Sequence, residues 1–126
     1  MPRDLGPISS RRTAVEVAPR AVQIAGDGPA RIWNAVEAFY RTGYHPAIAL
    51  CIRRHGEVLL DGAIGHARGN GPGEPATWPK RVATPDTPFN VFSAAKAVTA
   101  MLVHHLDEAN LIRLDDPICE YIPEFG

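Results

Sequence analysis

The sequence has no apolar run approaching the ~20 residues needed to cross a bilayer, and no short apolar stretch near its start such as a secretory signal needs. Arg11-Arg12 invites a twin-arginine reading, but Glu16 and Pro19 interrupt what should be its apolar core. A cytoplasmic protein is the expectation. An excess of charge is missing too: 13 Lys and Arg against 14 Asp and Glu leave a net charge of -1, which argues against nucleic acid or an anionic membrane as partner. Cysteine is scarce, and Cys51 and Cys119 lack the close spacing of a zinc or redox pair; buried free thiols are expected. There is no internal repeat, glycine-rich phosphate loop or metal-ligand cluster. His104 and His105 are the nearest thing to a metal pair, yet neighbours on a helix point about 100° apart and chelate poorly. Neither a metal nor a cofactor is expected.

What is present has a globular balance. The 126 residues are 45% hydrophobic and 21% charged, enough for one domain of ordinary size. Residues 1–22 show no sustained period and read as a loosely ordered lead-in, with the folded body over 23–126. Within Arg31–Tyr40, Ile32, Ala35, Val36 and Phe39 share one helical stripe, closed by Gly43. Ala47–Ile52 and Glu57–Gly65 then flank Arg53-Arg54-His55-Gly56, which predicts a β-hairpin. Residues 66–88 collect glycines and prolines around Trp78 and read as a long surface loop. From Ser93 to Leu106 apolar residues cover nearly the whole helical circumference, so a buried helix is expected. Asp116-Pro117 then suits a further helix start.

Ser93 and Lys96 stand three apart at the opening of that helix, where residues share a face. A serine hydroxyl alone is a poor nucleophile and needs a nearby base. Lysine can be that base once desolvation disfavours its charged form, and the alanine-rich surroundings suggest such a setting. At a helix start, unpaired N–H groups and the helix dipole can also stabilise a developing oxyanion. The bare spacing is weak, because Ser93 as an ordinary N-cap and Lys96 as a solvated first-turn residue would produce it equally.

The flanks add to the spacing. Thr84-Pro85-Asp86-Thr87-Pro88-Phe89-Asn90-Val91-Phe92-Ser93-Ala94-Ala95-Lys96 resembles the segment leading into the nucleophile helix of the serine β-lactamase and penicillin-binding-protein superfamily, above all class C β-lactamases and related esterases. Leu111–Ile118 and Tyr121-Ile122-Pro123-Glu124-Phe125 resemble the run that follows that helix. The resemblance implies an α+β fold, an antiparallel sheet flanked by helices, of which residues 23–126 supply the N-terminal third. It also implies that Ser93 is the acylated nucleophile, that Lys96 is its proton acceptor, and that the Ser93 N–H is half of an oxyanion hole.

Such enzymes further use a Tyr-x-Asn or Ser-x-Asn element and a Lys- or His-x-Gly strand, and residues 1–126 contain neither. Tyr121-Ile122-Pro123 and Tyr44-His45-Pro46 both lack the asparagine. Catalysis is therefore expected to need a C-terminal segment beyond these residues, and 1–126 alone is expected to be inactive. The substrate implied is a small ester, with a β-lactam or a D-amino-acid peptide as alternatives. A non-catalytic homologue serving as a binding module is the competing reading.

Overall fold

The computed structural model describes residues 2–126. The chain folds as two compact units, Met1–Pro88 and Phe89–Gly126.

In the first unit a hairpin forms from β2 (Ala47–Arg54) and β3 (Glu57–Arg68). Arg54 pairs with Glu57, leaving a two-residue loop. His55 and Gly56 both take positive φ, 52° and 83°, the conformation whose twist matches that of two antiparallel strands. β3 is central, with β2 on one side and β1 (Ser9–Arg11) on the other. Its middle is sealed on both faces, from Val58 to Leu60 and again from Gly62 to Gly65. On β2, Ile48, Leu50 and Ile52 are half-buried while Ala49, Cys51 and Arg53 face outward, the period of two that a one-sided strand requires.

Helix α1 (Gly28–Tyr40) carries Pro29 in its first turn, where a missing N–H costs nothing. It supplies Trp33, Val36 and Tyr40 to a core formed with Leu5, Ile8, Ile48, Ile64 and Val82. Two glycines of β3 make room for the aromatic rings. A Cβ on Gly62 would lie 2.8 Å from the Trp33 ring. One on Gly65, whose φ is +98°, would lie 2.7 Å from Tyr40.

Four expectations change here. Of the expected α1 stripe Val36 packs on the core, but the buried face is rotated toward Trp33 and Tyr40, and Phe39 is exposed. The rotation takes two aromatic rings out of water in place of one. Residues 5–22, within the expected loose lead-in, are built into the first unit. Ser9 pairs with Ile64 and Arg11 with Gly62, Leu5, Ile8 and Val22 are buried, and Glu16 forms a parallel bridge with Val58. The 66–88 loop is shorter than expected, since β3 runs on to Arg68 and pairs with β4 (Arg81–Val82). Both cysteines are free but exposed, because Cys51 falls on the outward-facing set of β2 and Cys119 in a short surface turn.

The second unit holds helix α2 (Ala95–Glu108) and, beyond it, two 3₁₀ turns, Ile118–Glu120 and Pro123–Phe125. Asn110, with φ 57°, ends the helix, and the Leu111 N–H reaches back to the Leu106 carbonyl at 3.0 Å. That left-handed cap satisfies carbonyls the helix would leave open. The expected buried helix is not observed: no residue of α2 is buried. A helix apolar all round needs neighbours on every side, and residues 89–126 do not provide them. Among the described residues no helix is long and apolar enough to cross a membrane.

Candidate active site

Ser93 lies in a 3₁₀ turn, Phe92–Ala94, that leads directly into α2. Three local features set this entry. The Asn90 side-chain oxygen accepts the Phe92 N–H at 2.9 Å, a side-chain-to-backbone bond that reproduces a turn. The Ala94 N–H donates to the Val91 carbonyl at 3.1 Å. Phe92 has φ 46°, a left-handed conformation that few residues other than glycine, asparagine and aspartate adopt. That backbone reversal decides where the next residue, Ser93, points.

The Lys96 ammonium donates to Ser93 Oγ at 3.0 Å. The Ser93 hydroxyl oxygen is thus engaged by the lysine one helical step on. No bond from the Ser93 N–H to a protein acceptor is found among the described residues, so that donor is free to meet an oxyanion. Both side chains are exposed. Residues 89–126 thus bring the Ser93 and Lys96 side chains together without desolvating them, and the burial expected from Ala94, Ala95 and Ala97 is not supplied.

Tyr121 has a different task. Its hydroxyl accepts the Arg113 N–H at 2.9 Å and donates to the Asp116 carboxylate. The bond to Asp116 pushes the phenol above its usual range, against a smaller opposing effect of the Arg113 N–H. A phenol so held stays protonated, and it ties residues 113–121 into one turn. Tyr44 is largely exposed and lies in the other unit. Among the described residues no group of three or more His, Cys, Asp or Glu side chains is placed to hold an ion.

Asn90 and Phe92 are positioning residues that motif reading passed over. An asparagine two residues before a helix entry is a legible turn signal. Nothing in the sequence flags a phenylalanine at positive φ.

A helix, an antiparallel hairpin and then a serine and lysine in contact at the mouth of a second helix are the features to set beside known families. The Beta-lactamase family profile matches residues 33–126, and the chain belongs to that family. No curated protein and no solved structure matches it. The matched stretch begins at Trp33, the first aromatic that α1 gives to the core, and includes both Ser93 and Lys96.

Proposed function

We propose that the chain carries the acylation half-site of a carboxylesterase of the Beta-lactamase family. Ser93 attacks the ester carbonyl while Lys96 in its neutral form takes the hydroxyl proton; the tetrahedral intermediate collapses to acyl-Ser93 as the alkoxide leaves and takes that proton back from Lys96, and water later hydrolyses the acyl group. The observation that carries this reading is the 3.0 Å contact between Lys96 Nζ and Ser93 Oγ. An ester is favoured over an amide because an alkoxide leaves with less help than an amine, and this open site provides a single charged side chain next to the nucleophile.

Completion requires groups that lower the charge preference of Lys96 and add a second oxyanion donor, the parts that Tyr-x-Asn and Lys- or His-x-Gly elements perform. In a polypeptide that joins residues 1–126 to such elements, a fluorophosphonate is expected to label Ser93, and Ser93→Ala to abolish both label and ester hydrolysis. Lys96→Ala is expected to lower turnover by roughly 10²–10⁴, the span of general-base effects. Residues 1–126 alone are expected to give no acylation burst. Ester hydrolysis that survives Ser93→Ala would refute the reading and leave a binding module as the better account.

A further inference from the structure

A cleft of about 370 Å³ in the first unit is lined by Ala67, Arg68, Arg81, Thr84, Asp86, Thr87 and Pro88. Its two arginines are opposed by design of the sheet. Arg68 on β3 and Arg81 on β4 are direct partners in the antiparallel register. Directly opposed residues put their side chains on one face, where like charges repel. An irregularity in the pairing between His66 and Arg68 leaves the pair at the end of the ladder. Bulges of this kind re-aim side chains and are common beside binding sites.

Neither guanidinium is paired at contact distance. Among the described residues neither Arg68 nor Arg81 forms a salt bridge, and neither donates a side-chain hydrogen bond. Asp86, on the cleft wall, pairs with Arg12. Glu74 accepts the Gly71 N–H at 2.6 Å and feels the charge of Arg68 without forming a salt bridge to it. Arg68 is held in place by stacking, its guanidinium carbon 4.8 Å from the centre of the Trp78 ring. Thr84 and Thr87 bring hydroxyls to the same wall, 3.4 Å apart.

We infer that this cleft is a binding site for a doubly charged oxyanion, held between Arg68 and Arg81 with the Thr84 hydroxyl as a further donor. Guanidinium groups present planar, bidentate donors to carboxylate and phosphate, and a bound dianion converts the repulsion between two facing arginines into a bridge. The inference does not depend on Ser93, since every lining residue belongs to Met1–Pro88.

Titration of the whole chain at micromolar concentration with inorganic phosphate, and separately with succinate, tests it; sodium chloride at matched ionic strength is the control. Tryptophan emission should change saturably, and Trp78→Phe should remove the change. Arg68→Gln and Arg81→Gln should each weaken binding by about tenfold, the loss of one charge-assisted pair. The tighter of the two anions identifies the ligand as a phosphate or a dicarboxylate. As a second readout, the anion should raise the melting temperature of the parent chain and leave that of the Arg68→Gln/Arg81→Gln double variant unmoved. A response matched by chloride, retained in the double variant, or absent in both readouts would overturn the proposal.

Discussion

The two units send their apolar side chains to opposite places. Every fully buried apolar residue, from Leu5 to Ala83, lies in Met1–Pro88. In Phe89–Gly126, Phe92, Met101, Leu111 and Phe125 are all more than 60% exposed. The first unit closes its own core because β3 is covered on both sides by chain segments present in residues 1–88. The second has one helix and three short turns, too little surface to cover an all-round apolar helix. Yet the Ser93–Lys96 contact sits in the second. It is held by local geometry, a turn and one helical step, which persists without a core around it.

The sharpest way to break the comparison is to delete equivalent bulk from both units. Ile64→Ala in the sealed middle of β3 should cost about 2–5 kcal/mol, while Leu102→Ala on α2 should stay within about 0.5 kcal/mol. Urea melts followed by circular dichroism measure both, and equal costs would show that α2 is packed after all. Next in size is Gly65→Ala. It meets both a positive φ and the Tyr40 ring, so a loss of more than about 1 kcal/mol is expected.

A smaller effect probes the second unit's turn. Phe92→Val puts a β-branched residue at φ 46° and should cost about 1–2 kcal/mol; in a completed enzyme it should also slow Ser93 acylation. Phe92→Gly should keep the turn and most of the rate. Equal rates in the two variants would mean that this backbone reversal does not place Ser93.

The smallest effect is one of pH, confined to the first unit. Burial, aided by the charge of Lys80, holds His66 below its ordinary value of 6.5, and its Nδ1 is buried without a partner. Between the folded and unfolded midpoints the unfolded chain binds more protons, so stability rises with pH in that window. The contribution of His66 is complete above about pH 6.5 and is lost as pH falls through its lower folded midpoint. Comparing the parent chain with His66→Gln in urea melts from pH 7.5 downward measures it; identical slopes would contradict it.

Much of the site was legible in order. The Ser93–Lys96 spacing, the helix opening and the Thr84–Phe92 flank all lie within one stretch, and the contact between the two side chains follows from one helical step. The hairpin was legible for the same reason, because His55-Gly56 states its turn in two residues. Less visible was the first segment. Glu16 looks like an interruption of an apolar run, yet it accepts three bonds from Arg11, at 2.7, 2.8 and 3.0 Å, and the Asp61 N–H at 2.9 Å. Its partners become neighbours only once Ser9–Arg11 lies alongside β3.

The sequence by itself determined the short-range features: which residues turn the hairpin, where the second helix begins, and which serine has a lysine one step away. Only the tertiary structure decided which face of α1 is buried, that residues 5–22 belong to the fold, that Arg68 faces Arg81, and that α2 stands uncovered. Local features depend on backbone preferences and periods that neighbouring residues carry within themselves. The rest depends on strand pairing and ring packing between distant segments, and those energies exist only after the chain has closed on itself.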